Sequence, residues 1–201
     1  MSVVRTYYHD EPTKLFEEYF QINGMKEGEY KRYYNNGQLA VICNYVNGKK
    51  QGEYKYYHEH ENGQLSEICN YVDGLLEGYF KSYARDGTLY KMGNYINDKK
   101  NGEHNSYYGN GQPLEISNYL NGKKQGEYKK YYGNGQLVEI CNYVNGLKHG
   151  ERKEYYENGQ LKEICNYFNG HPKGEYKSYH ENGELKEIRN YAKYGNYAKK
   201  K

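Results

Sequence analysis

The chain has 201 residues, with 29 Lys and Arg against 26 Asp and Glu, for a formal net charge of +3. So balanced a charge argues against nucleic acid as the partner, because a dense positive field dominates that kind of affinity. Leu, Ile, Val and Phe number only 12, 8, 7 and 4, which excludes a thick conventional core, but 30 Tyr offer large apolar bodies with polar tips that let a thin sheet order without one.

The segment from Met1 to Asp10 lacks the apolar core of a signal peptide, and no later run approaches membrane-spanning length. A cytoplasmic, reducing location is therefore expected. Residues 4–27 read as a degenerate capping copy of a repeat that fills the rest of the chain. Gly24-Met25-Lys26-Glu27 parallels Gly48-Lys49-Lys50-Gln51, and Tyr7, Tyr8 and Leu15 have counterparts later in the chain.

At Gly28 a string begins that returns at Gly52, Gly78, Gly102, Gly126, Gly150 and Gly174. The period is 24 residues, except for 26 between Gly52 and Gly78. The copies are 28–51, 52–77, 78–101, 102–125, 126–149, 150–173 and 174–197, and residues 198–201 form a basic tail. A short period of this kind signals one small unit stacked along an axis, each copy burying its neighbour's face.

Positions within a copy are counted from its leading Gly. Positions 9 and 10 are Asn-Gly or Asp-Gly in all seven copies, from Asn36-Gly37 to Asn182-Gly183. A second such pair stands at positions 20 and 21, as in Asn47-Gly48 and Asn145-Gly146. Both pairs predict two-residue type I′ hairpin turns, which need positive φ at both central residues. The expected fold is all-β: an elongated single-layer antiparallel meander of stacked β-hairpins, about two strands per 24-residue repeat and about sixteen strands in total.

Two-residue turns set position 8 opposite 11 and position 19 opposite 22. One face then carries Gly 1, Tyr 3, Tyr 7, Leu 12, residue 16 and Tyr 18, and is expected to be the packed one. The other carries Glu 2, Lys 4, Tyr 6, Ile 15, Asn 17 and Val 19. Gly 1 lies opposite Tyr 18, whose ring is expected to cover it. Glu 2 faces Asn 17, where a carboxylate–amide hydrogen bond is expected. A slip of one residue would exchange the faces.

The second copy carries a two-residue insertion at a hairpin tip, within His58-Glu59-His60-Glu61. His58 and His60 form the one arrangement with metal-ligand chemistry, but a single exposed hairpin tip is a poor site. Cys43, Cys69, Cys141 and Cys165 all fall at position 16. Equivalent positions of adjacent copies are about 9.6 Å apart, twice the inter-strand spacing. That exceeds the roughly 7 Å between Cα atoms that a disulfide tolerates, so these thiols are expected to be reduced packing residues.

Two rows remain as binding candidates. Tyr33, Tyr57, Tyr83, Tyr107, Tyr131, Tyr155 and Tyr179 occupy position 6. Such a ladder stabilises a thin sheet and also suits an interface. Lys31, Lys55, Lys81, Lys129, Lys153 and Lys177 occupy position 4. They could meet anionic lipid, although the position-2 glutamates on the same face largely cancel them. No catalytic constellation and no cofactor-binding motif is present, so neither enzyme activity nor a cofactor is expected.

The repeat Gly-Glu-Tyr-Lys-x-Tyr-Tyr-x-Asn-Gly-Gln-Leu-x-Glu-Ile-Cys-Asn-Tyr-Val-Asn-Gly-Lys resembles the MORN-repeat variant, the second MORN type, over nearly the whole chain. Its marks are the Tyr at position 6, the Asn-Tyr at 17–18 and the two turn pairs. The resemblance implies an elongated hairpin array without catalytic residues, acting as a scaffold, dimerisation or lipid-associated module. Bacterial members are often labelled antitoxin components, and the chain also resembles long arrays in large DNA viruses. The reading is a non-enzymatic scaffold mediating protein–protein interaction through a Tyr-lined sheet. The alternatives are a peripheral lipid-binding module or an antitoxin-like neutraliser of a toxin partner. Sheet edges at either end would also invite self-association.

Overall fold

The structure, a computed structural model, describes residues 1–59 and 63–191. His60, the end of the last copy and the basic tail lie outside the described residues. The chain forms two compact units, residues 1–101 and 102–201. The first contains β1 (Ser2–Tyr7), β2 (Leu15–Ile22), β3 (Met25–Tyr33), β4 (Leu39–Val46), β5 (Lys49–Tyr57), β6 (Leu65–Val72), β7 (Leu75–Tyr83), β8 (Leu89–Ile96) and β9 (Lys99–Lys100). The second contains β10 (Gly102–Tyr107), β11 (Pro113–Leu120), β12 (Lys123–Tyr131), β13 (Leu137–Val144), β14 (Leu147–Tyr155), β15 (Leu161–Phe168), β16 (His171–Tyr179) and β17 (Leu185–Tyr191).

Within each unit every strand pairs antiparallel with its sequence neighbour, as in β3–β4, β4–β5, β12–β13 and β13–β14. Seventeen strands are present among the described residues instead of about sixteen. In the other copies one strand runs through this stretch, but Asn101 interrupts it between Lys99–Lys100 and Gly102–Tyr107.

The two turn pairs behave differently. At positions 20 and 21, Asn47 and Gly48 have φ of 50° and 75°, and Val46 stands opposite Lys49, the expected type I′ turn. At positions 9 and 10 the expectation fails. Only the Gly has positive φ, 82° at Gly37. Gly37 N–H donates to the Tyr34 carbonyl at 2.9 Å and Tyr34 N–H to the Gln38 carbonyl at 2.8 Å. This is a three-residue loop, a type I turn closed by a left-handed Gly. The Asn is chosen for its side chain: Asn36 Oδ1 accepts from Gln38 N–H at 3.0 Å, and Asn134, Asn158 and Asn182 repeat the bond.

The longer loop shifts the pairing by one residue near its tip, so Tyr33 meets Leu39. One extra residue at position 13, Ala40 in this copy, then restores Lys31 opposite Ile42 and Gly28 opposite Tyr45. Leu 12 therefore shares its face with Tyr 6, not with Tyr 3 as expected. Beyond the type I′ turn the pairing also changes: Asn44 faces Gln51, but Cys43 faces Tyr54. Gly52 and Glu53 form a two-residue bulge, and an even shift leaves the faces unchanged.

That bulge is why position 1 is glycine. Gly52 has φ of 79°, a conformation that strains any residue with a Cβ. A Cβ built on Gly52, Gly126 or Gly150 would meet nothing within 4 Å, so no Tyr ring covers the glycine as expected. The Tyr 18 ring packs instead edge-on against residue 3: Tyr45 against Tyr30, Tyr71 against Tyr54 and Tyr143 against Tyr128, with centroids 5.6, 5.7 and 5.6 Å apart.

The buried residues lie on this face. Tyr30, Val41, Cys43, Cys69, Tyr128, Cys141 and Cys165 are all buried. Cys43 stands between Tyr30 and Tyr54, its partners on the flanking strands. A small side chain fits where rings approach from both sides, and all four thiols are free.

Copies are stitched along both margins. The Tyr34 hydroxyl donates to the Tyr57 carbonyl one copy on at 2.7 Å, and Tyr132 and Tyr156 do the same to Tyr155 and Tyr179. At the other margin Gly48 N–H reaches the Lys26 carbonyl and Asn47 N–H reaches Glu27 Oε2.

Candidate interaction face

The two faces of each unit differ in kind. The closed face carries positions 3, 5, 14, 16 and 18, roofed by a lysine at position 23. Lys26 Nζ lies 4.4 and 4.2 Å from the centroids of Tyr19 and Tyr30, and it pairs with Glu17. Lys124 lies 4.0 Å from the Tyr128 centroid and pairs with Glu115 at 3.0 Å. The rings and carboxylates thus hold each ammonium from two sides. These lysines were not singled out in the sequence; their recurrence every 24 residues was the signal.

In one copy Arg152 replaces the ring at position 3. Its guanidinium bonds Glu139 at 2.6 Å, Glu154 at 2.5 Å and Glu163, while Lys148 and Lys162 pair with Glu139 and Glu154. Burial alone would raise the Glu139 carboxyl, but hydrogen bonds from Lys148 and Arg152 outweigh it and hold it below its ordinary value. Burial pushes the thiols of Cys69 and Cys141 up to about 12 and about 11. They are therefore poor nucleophiles and poor metal ligands in the folded chain.

The open face carries positions 2, 4, 6, 12, 15, 17 and 19. All seven position-6 tyrosines are half-buried here, with Tyr131 opposite Leu137, Tyr155 opposite Leu161 and Tyr179 opposite Leu185. The position-4 lysines are half-buried too, and their charge is taken up locally. Lys31, Lys55, Lys129, Lys153 and Lys177 pair with Glu29, Glu53, Glu127, Glu151 and Glu175. Lys81 has Tyr79 at the corresponding place. Hydrogen bonding to Glu151 raises the Lys153 ammonium above its ordinary value. In these five copies Glu 2 is thus engaged by Lys 4, and among the described residues the expected bond to Asn 17 does not form, although the residues do stand opposite, as Glu151 and Asn166.

Between two ion pairs of adjacent copies the open face of each unit holds a cleft. One is lined by Glu29, Ile42, Asn44, Glu53 and Lys55, with a volume near 150 Å³. Its counterpart, near 290 Å³, is lined by Glu151, Leu161, Ile164, Asn166, Glu175, Lys177 and Tyr179. Ile 15 and Asn 17 make the floor, and Glu 2 and Lys 4 make the walls.

His58 faces neither cleft. Its Nε2 lies 3.0 Å from the Tyr83 carbonyl, where other copies place the position-7 phenol. It therefore acts as an inter-copy stitch, and His60 lies outside the described residues. No group of three or more His, Cys, Asp and Glu suited to a metal ion occurs among the described residues. No helix among them is long and apolar enough to cross a membrane.

The MORN repeat variant model matches residues 26–47, 76–97, 100–121, 124–145, 148–169 and 172–193. Segment 26–47 is the β3–β4 hairpin and 124–145 the β12–β13 hairpin, so the family unit is the hairpin with its three-residue loop. No curated protein matches the chain. Among solved structures, the crystal structure of TcdB2-TccC3-Cdc42 aligns with 12% identity and a TM-score of 0.21. It covers 88% of this chain but only 13% of that one, and at so low a score the likeness carries no argument.

Proposed function

The chain belongs to the MORN repeat variant family, and from that premise we propose that it is a non-enzymatic scaffold that holds a protein partner on its open face. The observation that carries this reading is a cleft of the same chemistry, between two adjacent copies, in each of the two units. A repeated shallow cleft suits an elongated partner better than a single small substrate. The closed face, by contrast, is filled by its own rings and ammonium groups.

The lipid reading loses its main support, because the lysine row is paired with carboxylates. A cytoplasmic location fits the four free thiols. Crosslinking mass spectrometry in native lysate tests the scaffold reading, comparing the wild type with a Tyr131→Ser, Tyr155→Ser, Tyr179→Ser variant. Partner crosslinks mapping to the open face and lost in the variant support it. Crosslinks confined to other surfaces, or unchanged in the variant, overturn it.

A further inference from the structure

Asn 17 is asparagine in every copy, yet in the second unit the fold makes little use of its side chain. There Asn118, Asn142 and Asn166 lie in β11, β13 and β15. Among the described residues no hydrogen bond engages their carboxamides, and Glu127 and Glu151 opposite Asn142 and Asn166 are taken by Lys129 and Lys153. Asparagine is disfavoured in strands. A strand-averse residue that recurs in every copy, with its carboxamide unbonded in these, is unexplained by folding. Each carboxamide offers two donors and an acceptor on the open face, and Asn166 lines the cleft there.

These three residues stand on alternate strands, about 9.6 Å apart. We propose that the ladder reads the backbone of a proline-rich segment in polyproline II conformation, laid across the strands at one three-residue turn per copy. This rests on the open face being the protein-binding surface and names its partner class. A polyproline II helix advances about 9.3 Å per three residues and returns its side chains to the same side. Its carbonyls have no internal partners, so the Asn amides can donate to them.

The other regular conformations fit less well. An α-helix has its backbone already bonded, and its seven-residue step of about 10.5 Å drifts by about 0.9 Å per copy. A β-strand comes close to the spacing in three residues, but an odd step turns the side chain to the opposite side at each copy. With three residues per copy, every third side chain of the guest falls over the isoleucine beside each Asn, and at Ile164 it enters the cleft. The flanking Glu–Lys pairs are neutral overall, so the guest needs no charge. The Tyr131, Tyr155 and Tyr179 row runs along the same face, with Tyr179 lining the cleft, an aromatic margin of the type that proline rings pack against.

Fluorescence anisotropy on the full chain tests this with a labelled peptide of four Pro-Pro-Ile triplets. The controls are the same peptide with one Ser inserted per triplet and an amphipathic heptad helix of equal length. The triplet peptide should bind, tighten from two triplets to four, and lose affinity with the inserted Ser. Asn142→Ala with Asn166→Ala should weaken it about tenfold, as expected for losing two modest hydrogen bonds, with thermal unfolding unchanged. No binding of the triplet peptide, or binding indifferent to the Asn changes or the inserted Ser, overturns the proposal. If the helical peptide alone binds and is lost in the Tyr131, Tyr155, Tyr179 variant, this proposal falls while the scaffold reading stands. Failure of the triplet peptide together with crosslinks that avoid the open face removes both.

Discussion

Glu67 in the first unit and Glu139 in the second hold the same position on the closed face, yet their carboxyls are pushed in opposite directions. Around Glu67 burial dominates, and Lys50, seated over the rings of Tyr54 and Tyr71, offsets only part of it, so the carboxyl lies above its ordinary value. Around Glu139 burial acts the same way, but direct bonds from Lys148 and Arg152 reverse the outcome. The sequence difference lies in the following strand: Lys148, Arg152 and Glu154 stand beside Glu139 where Leu76, Phe80 and Ser82 stand beside Glu67. The closed face can therefore be completed by rings or by an ion lattice, provided neighbouring copies contribute the matching groups.

Arg152→Ala should break the lattice most severely. It leaves Glu139, Glu154 and Glu163 together without their shared cation, and should cost about 3–5 kcal/mol in urea unfolding. A loss below about 1 kcal/mol would mean that the lattice is not a stabilising unit. Rebuilding the surroundings of Glu67 with Arg152→Phe and Glu154→Ser should recover part of what Arg152→Ala loses.

Acidification separates the two glutamates next. The lowered carboxyl of Glu139 contributes stability above the ordinary carboxylate range, lost as pH falls through its depressed native value. The raised carboxyl of Glu67 has the opposite sign: its contribution is complete below the unfolded value and is lost as pH rises through the native one. Unfolding midpoints between pH 3 and 7 should show that Glu139→Gln reduces the acid loss. Glu67→Gln should remove a loss on the rise toward neutrality. Matching profiles for the two variants would mean that the ring-lined and ion-lined sites are electrostatically alike.

Smaller effects are expected away from this lattice. Tyr132→Phe removes only the hydroxyl bond to the Tyr155 carbonyl at 2.9 Å, and should cost about 0.5–1.5 kcal/mol by chemical denaturation. Lys153→Met on the open face breaks a solvent-exposed pair with Glu151, and should change stability by no more than about 1 kcal/mol. A larger cost for Lys153→Met than for Tyr132→Phe would mean that the open-face ion pairs, not the margin bonds, hold the copies together.

Much of the fold was legible in the sequence because hairpin signals are local. The type I′ turn at Asn47-Gly48 follows from two residues that both accept positive φ. Asn36-Gly37 looks identical as a dipeptide, but its Asn works through its side-chain oxygen, and only the flanking hydrogen bonds reveal the longer loop. That one residue moved Leu39 across to the face of Tyr33. The candidate site was legible in part: the Tyr and Lys rows were visible as rows, whereas the pairing of each lysine with its own copy's glutamate required side-chain positions.

The sequence by itself determined the 24-residue period, the antiparallel hairpins, the facing of Gly 1 with Tyr 18 and the separation of the four cysteines. Those follow from turn chemistry and spacing, which act over a few residues. Only the tertiary structure decided that Lys26 and Lys124 roof the rings, that three carboxylates from different strands converge on Arg152, and that Asn166 stands beside a Glu151 already occupied by Lys153. Each of these depends on how a strand registers with the next copy. Register is set by loops and bulges whose one- and two-residue shifts a periodic sequence does not display.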